Sequence, residues 1–271
     1  MLELRPRDGS RFLPLLELDP DLGRMLSPDR RTEAANGLII RTQNLPEGLL
    51  DLARLQAISP SHIGLLVIDG VIAQEAVVGD TVSTELLGSG DVIRPWTIEE
   101  PVELLETEVR WTVLSELTAA LLDRRVAIEL CGYPEVYSAI VDRMSQRSAR
   151  LATMKAISQM TRVDRRLIAL FWHLAERWGR MTAQGLRIPL RLSHRQLGQL
   201  VGARRPTVSS ALAELVRAGE LVRQPAGTWL LPGDPVPLTT RAERLIGPSL
   251  TLLAPPGTLA GHGESGVAAT R

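Results

Sequence analysis

The sequence predicts an α+β protein: an antiparallel β-roll, jelly-roll-like, in the first half, then one long helix, then a small helical domain closed by two short strands. Three observations carry this. Turn signals at short spacing, Asp69-Gly70, Gly79-Asp80 and Gly88-Ser89-Gly90-Asp91, separate runs of aliphatic and β-branched residues. An apolar stripe at three- and four-residue steps follows Pro134 to about Met160. A Ser-x-x-Gln capping box, Ser193 and Gln196, opens a pair of short amphipathic helices.

The 271 residues suffice for one large or two ordinary domains, and 44% hydrophobic residues at a mean hydropathy of +0.04 can bury a proper core. Net charge is zero, but it is unevenly placed. Residues 1–160 hold 16 Arg plus Lys against 24 Asp plus Glu, whereas residues 161–231 hold 12 against 4, and the tail 3 of each. An acidic front and a basic back are what a chain with a nucleic-acid-binding end shows. The first ten residues have no apolar leader core and no stretch reaches the roughly 18 apolar residues of a membrane span. A cytoplasmic protein with no membrane contact is expected. The single cysteine, Cys131, is read as a small hydrophobe; it cannot form an internal disulfide or supply an iron–sulfur cluster. His62, His173, His194 and His262 show no close metal-ligand spacing, so no metal and no cofactor is expected. With no nucleophile–base pair or phosphate-cradling glycine loop, an enzyme is disfavoured.

In chain order, Phe12 to Leu26 reads as a short helix broken by Pro20, and Leu38 to Gln43 as a first strand. Leu65 to Ile68, Asp69-Gly70 and Val71 to Ala73 form the strongest short-range hairpin signal in the sequence. Thr81 to Leu87 and Val109 to Leu114 follow as strands. The long helix carries Tyr137, Ile140, Met144, Leu151, Met154 and Ile157, with Arg147 and Ser148 interrupting the seam. Thr161, with Asp164 three residues on, is expected to cap the next helix, whose apolar face is Val163, Leu167, Leu170, Phe171, Leu174 and Trp178. Leu186, Ile188, Leu190 and Leu192 alternate as a strand.

The capped helix then buries Leu197, Leu200 and Val201 and ends at Gly202, which turns the chain without steric cost. Pro206 sits in a first turn that needs no amide donor, and Val208, Ala211, Leu212, Leu215 and Val216 mark the inner face of the second helix. Thr207, Ser209, Ser210 and Ala213 are turned outward, with Arg204 and Arg205 at the helix start. Gly219 stops it, and Leu221 to Arg223 and Thr228 to Leu231 read as two strands. Beyond them a run of Pro, Gly, Ala and Thr is expected to be mobile.

The run from Leu192 to Leu215, with its capping hydroxyl, Gln196, Leu197 to Gly202, Arg205, Thr207, Val208 and Leu212, and with two strands behind, resembles the winged helix-turn-helix of the Crp/Fnr family of bacterial transcription regulators. A weaker resemblance, over Leu38 to Leu122, is to that family's cyclic-nucleotide-binding-like domain. The resemblance implies a sensor domain over residues 1–133, a dimerisation helix over 134–160, a DNA-binding domain over 161–231 and a flexible tail over 232–271. It implies double-stranded DNA, a second copy of the chain and RNA polymerase as partners. Arg205 matches the family arginine that reads a guanine edge, and Ser193, His194 and Arg195 lie where first-helix groups touch phosphates. Pro206 and Ser210 depart from the family's other readers, so Ser209 and Ser210 are expected to read bases loosely, with Thr207 and Arg204 beside them. The cyclic-nucleotide cassette is absent: Gly90-Asp91 runs into Val92, Ile93, Arg94, and the later arginine is Arg110 in Val109-Arg110-Trp111. Cyclic AMP is therefore not expected to bind in the family mode, although Arg94 and Arg110 are candidates for an anionic effector pocket. A protein-interaction module whose winged helix no longer reads DNA is the alternative.

Overall fold

The computed structural model describes residues 11–51, 55, 61–95 and 104–233, without the side chains of 61, 62 and 226. The readings of the first ten residues and of the tail past Gly233 lie outside the described residues. The described residues up to Pro232 form one compact unit.

The front half is an antiparallel sheet in the order β1 (Arg11–Pro14), β2 (Ile39–Leu45), β7 (Glu108–Asp123), β4 (Ser61–Val78) and β5 (Thr81–Gly88). Two short strands join it, β3 (Gly48–Leu49) on β7 and β6 (Val92–Ile93) on β4. Phe12 to Leu26 is not the single helix its apolar run suggests. Arg11–Pro14 pairs with β2, α1 (Leu15–Leu18) is a single turn, and Pro20–Gly23 is a 3-10 turn. Pro14 and Pro20 each deny the backbone donor that a continuous helix needs.

The Asp69-Gly70 hairpin does not form. Both flanks belong to one 18-residue strand, β4, which pairs with β7 from Ser61↔Asp123 to Val77↔Glu108. Asp-Gly supplies a bulge instead: the register shifts between Val67 and Ile72, Gly70 sits at φ 95, and the Val71 amide donates to the Ser115 hydroxyl at 2.9 Å. From Val67↔Ala119 to Ile72↔Val113, β4 advances five residues against six on β7, and this one-residue change of register inverts the alternation of faces along β4. Before the bulge, Leu65 and Val67 point into the sheet's interior with Leu117, Ala119 and Leu121, and Leu66 points out onto the helices. After it, Ile72 points inward with Leu87 and Trp111, and Val71 and Ala73 point out. The true hairpin is the two-residue turn at Gly79-Asp80, where Gly79 has φ 58 and Val78 pairs with Thr81.

The helices on the outer face are α2 (Pro28–Gly37), α3 (Arg124–Leu130) and α4 (Pro134–Ser158). Asp123 caps α3, accepting from the Val126 amide at 3.0 Å. Cys131, at the end of α3, is exposed rather than packed as a small hydrophobe. The apolar positions of α4 divide between two faces. Val136, Ala139, Ile140 and Ile157 are buried, while Tyr137, Val141, Met144 and Leu151 stand exposed. Arg147 is no mere interruption: it donates to both carboxylate oxygens of Glu85 and to Gln74 Oε1 at 2.5 Å, fastening α4 to the sheet.

The back half is α5 (Val163–Trp178), β8 (Arg180–Thr182), β9 (Gly185–Ile188), α6 (His194–Val201), α7 (Arg205–Arg217), β10 (Val222–Arg223) and β11 (Trp229–Pro232), with its strands in the order β10-β11-β9-β8. The cap of α5 is Arg162, not Thr161, and the Asp164 carboxylate is taken up by the Arg162 guanidinium at 2.9 and 3.0 Å. The strand expected through Leu192 stops at Ile188, because Pro189 has no amide to extend the ladder. Leu190 and Leu192 are buried all the same. Val216, expected inside, is exposed.

The two halves share one core: Val71, Ala73 and Leu86 of the sheet pack with Leu170, Phe171, Leu174 and Leu200. A polar clasp flanks it. Asp91, 2% exposed, accepts from the Gly88 amide at 2.9 Å and faces both Arg150 of α4 and Arg177 of α5. Arg177 also donates to the carbonyls of Gly88 at 3.0 Å and Ser89 at 2.9 Å. The borders expected at 133 and 160 are thus joints within one unit.

The bulge generates a test. A Cβ at Gly70 would collide with the Glu116 carbonyl in a conformation that L side chains avoid. Gly70→Ala should cost about 2–4 kcal/mol in urea unfolding. If Asp69-Gly70 were a free hairpin turn, the same change would be far milder.

Candidate nucleic-acid interface

The geometry begins at the capping box. The Ser193 hydroxyl accepts from the Gln196 amide at 3.2 Å while Gln196 Oε1 accepts from the Ser193 amide at 2.9 Å. Both orphan donors of the first turn are satisfied, so α6 starts at a fixed residue. It ends as sharply: Gly202 takes φ 66, ψ 48, and the Ala203 amide returns to the Gly198 carbonyl at 2.9 Å. Gly198 is required there, since a side chain would meet the Ala203 carbonyl. The carbonyls left at this end are met by Arg166 of α5, which donates to Val201 and Gly202 at 3.1 Å each. That contact joins residues 35 apart in sequence and no local pattern signals it.

The tight turn delivers α7 with Arg204 as its cap, Arg205 and Pro206 in the first turn and no side chain on the free amides. Val208, Ala211, Leu212 and Leu215 are buried; Arg204, Arg205, Thr207, Ser210 and Ala213 are exposed. The helix stops in a Schellman motif, with the Gly219 amide on Val216 and the Glu220 amide on Leu215. Behind it, Phe171 packs on Trp229 with ring centroids 5.3 Å apart, which braces α5 against the β10–β11 wing.

The two serines expected to read bases are not equivalent. Ser209 is half-buried between the helices: its hydroxyl lies 2.8 Å from His194 Nδ1 and donates to the Arg205 carbonyl at 3.1 Å. It positions His194 and the start of α7 rather than facing outward. Ser210 is exposed, with its hydroxyl on the Pro206 carbonyl at 3.3 Å.

The first turns of α6 and α7 and the wing enclose a basic cleft of about 670 Å³, lined by Arg191, Ser193, His194, Arg195, Arg205 and Arg223 with Trp229. No carboxylate lines it, and among the described residues none of its four arginines has an ion-pair partner. Arg223 lies over the Trp229 ring, 6.0 Å from its centroid. His194 is held below the ordinary imidazole pKa by burial, with Arg223 and Arg205 adding to it. A surface of fixed cations with the carboxylates kept away is suited to a polyanion. Arg204 and Thr207 flank this cleft on α7 without lining it.

Arg94 and Arg110 are not brought together. Arg94 follows Ile93, which pairs with Leu65, whereas Arg110 pairs with Glu75, roughly 30 Å further along β4. Arg110 is taken up by Glu108 at 2.6 Å and Arg94 is exposed, so the two do not form one anion pocket.

Comparison with known proteins accords with this geometry. The Crp-like helix-turn-helix domain matches residues 165–230. The CRP-like cAMP-activated global transcriptional regulator of Mycobacterium tuberculosis is 27% identical over 135 residues, 49% of this chain and 59% of that protein. The regulatory protein CysR of Synechococcus elongatus is 28% identical over 150 residues, 54% of this chain and 64% of that one. The chain thus spans about three fifths of the length of the curated relatives it matches. Among solved structures, a cyclic nucleotide-binding domain containing protein of Listeria monocytogenes EGD-e superposes with a TM-score of 0.58 at 15% identity, covering 79% of this chain and 97% of that one. Among the described residues no helix is long and apolar enough to cross a membrane and no side-chain cluster is arranged to hold a metal. Capping box, tight turn and wing thus belong to a Crp-like helix-turn-helix domain at residues 165–230, and the fold as a whole is similar to that of the Listeria protein.

Proposed function

We propose that this protein is a sequence-specific DNA-binding transcription regulator that reads a near-palindromic site as a homodimer. The carboxylate-free cleft of unpaired arginines between α6, α7 and the wing carries the reading, because such a surface attracts phosphates while α7 presents small and cationic groups. Arg205 is the base reader, through a bidentate contact to guanine of the kind worth ~1–3 kcal/mol. Ser193, His194, Arg195, Arg191 and Arg223 take phosphates, and Thr207, Ser210 and Arg204 meet the groove wall. Loose readout follows, since one short hydroxyl remains where two were expected.

The outward face of α4 supports the dimer. Tyr137, Val141, Met144, Ser148, Leu151 and Lys155 recur at alternating four- and three-residue steps, the spacing of a coiled-coil seam, and the four large apolar members are exposed. Two copies joined there place their α7 helices one DNA turn apart, ~34 Å. The mycobacterial relative is cAMP-activated by its description, a trait we do not carry over. Both oxygens of Asp91 are already engaged by Gly88, Arg150 and Arg177, and Arg94 and Arg110 lie apart, so among the described residues these groups do not form the family's cradle for a cyclic phosphate.

Selection of bound fragments from genomic DNA, without effector, should enrich a near-palindrome that Arg205→Ala loses, with affinity for the selected site falling roughly 5- to 150-fold. Sequence-blind enrichment by both proteins would overturn base reading. Met144→Glu with Leu151→Glu should turn a dimer into a monomer in sedimentation, while leaving the helix content in far-UV circular dichroism unchanged. His194 gives a pH signature. Its pKa is lowered in the free protein and a facing phosphate raises it, so binding is coupled to proton uptake. Affinity measured at constant salt should therefore rise as the pH falls from about 7.5 toward 6, and His194→Gln should flatten the slope.

A further inference from the structure

A second cleft, of about 810 Å³, lies away from the DNA-facing surface, between β5, α4 and the α5–α6 side of the winged helix. Its walls are apolar at Leu86, Leu151, Met154, Leu170, Leu174 and Trp178. Of its cations, Arg143 is taken up by Asp19 at 2.8 Å and Arg147 by Glu85 at 2.7 Å, which leaves Arg150, Arg177 and Lys155 as the positive excess. Asp91 answers two guanidinium groups at once. Burial pulls the Arg150 pKa down, and although Asp91 opposes this, Arg177 and Arg147 press further in the same direction. Burial also pulls the His173 pKa down, with Glu176 opposing the shift and Arg150 and Arg177 adding to it. Among the described residues Lys155 has no carboxylate partner. The wall also contains Thr84, a buried hydroxyl with no hydrogen-bond partner.

We propose that this cleft binds a small organic anion carrying an apolar aromatic or aliphatic body. The body lies along Met154, Leu174 and Trp178, and the anionic end meets the excess cations of α4. An apolar pocket with a few convergent charged groups is the usual form of such a site. The occupant has a structural consequence. One wall belongs to the sheet and α4 and the other to the winged helix, so a ligand touching both favours the docked arrangement over any other, to the extent of its differential affinity. The site is separate from the space between the sheet's inner faces, where Leu65, Ile72, Leu87 and Trp111 fill the interior.

The test needs no DNA, so its failure would leave the reading of α7 untouched. The full chain is titrated with anilinonaphthalene sulfonate and with its neutral counterpart, N-phenyl-naphthylamine, following dye fluorescence. One sulfonate dye per chain is expected, bound about fivefold or more tightly than the neutral one. Ser83 is exposed on the β5 wall, which makes it a tolerant place to alter the cleft. Ser83→Glu should weaken the sulfonate about fivefold and spare the neutral dye, and Ser83→Trp should weaken both. Gln199→Glu on the opposite wall gives an independent reading should either Ser83 variant melt early. Equal affinity for the two dyes would overturn the proposal. So would sulfonate binding indifferent to all three variants.

Discussion

The arrangement of the two halves depends on one buried carboxylate. Asp91 first closes its own turn by accepting from the Gly88 amide, and in doing so presents both oxygens to Arg150 and Arg177. The Arg177 Nη1 contact at 2.6 Å lies off the line of its N–H and is electrostatic, whereas Nη2 makes aligned bonds to the Gly88 and Ser89 carbonyls. Trp178 supports the same guanidinium from 4.9 Å. Buried ion pairs contribute little net stability once desolvation is counted, but leaving one partner alone costs about 3–5 kcal/mol. The clasp therefore acts through orientation: it allows one placement of α5 on the sheet and penalises the others.

Around that fixed point the apolar surfaces must agree, and the bulge in β4 makes them do so. A strand of regular alternation through Leu65, Leu66, Val67, Val71 and Ile72 would put either Ile72 or Val67 on the wrong side. The one-residue change of register at Asp69-Gly70 lets the sheet fill its interior at both ends and still offer Val71 and Ala73 to the winged helix. Helix α4 serves both partners in turn, burying Ile140 against the sheet side and Ile157 near the winged helix, and leaving Tyr137, Val141, Met144 and Leu151 for a further surface. A cleft remains where the sheet, α4 and the winged helix meet.

In the winged helix the boundaries of the helices are set locally. Ser193 and Gln196 fix the start of α6, Gly202 its end, and Gly219 the end of α7, each by backbone hydrogen bonding within a few residues. Arg166, the Phe171–Trp229 contact, the His194–Ser209 contact and the shared apolar core then reach across to hold the two helices and the wing as a unit. The outer surface is left free to carry charge, and Arg191, Arg195, Arg205 and Arg223 do so without any neutralising carboxylate in their cleft.

The sequence by itself determined the elements whose signals are local: the capping box, the glycine stops, the two-residue turn at Gly79-Asp80, the apolar faces of α5, α6 and α7, and hence Arg205 at the start of an exposed helix. It also determined the long helix, because Pro134 and the apolar spacing are written in consecutive residues. Tertiary structure decided whatever depended on a distant neighbour. Asp-Gly favours positive φ but does not say whether a hairpin or a bulge uses it; the length of β7 opposite decided that. Ser209 reads as a surface hydroxyl until His194, from the other helix, comes within 2.8 Å. Arg94 and Arg110 read as a possible pair until the ladder sets them far apart on β4. Asp91 reads as a turn residue, which it is, and only the approach of Arg150 and Arg177, 59 and 86 residues later, makes it the joint of the molecule. Hydrogen-bonding within a turn and periodicity along one element are encoded in neighbouring residues, whereas pairing across the fold exists only once the chain has brought its ends together.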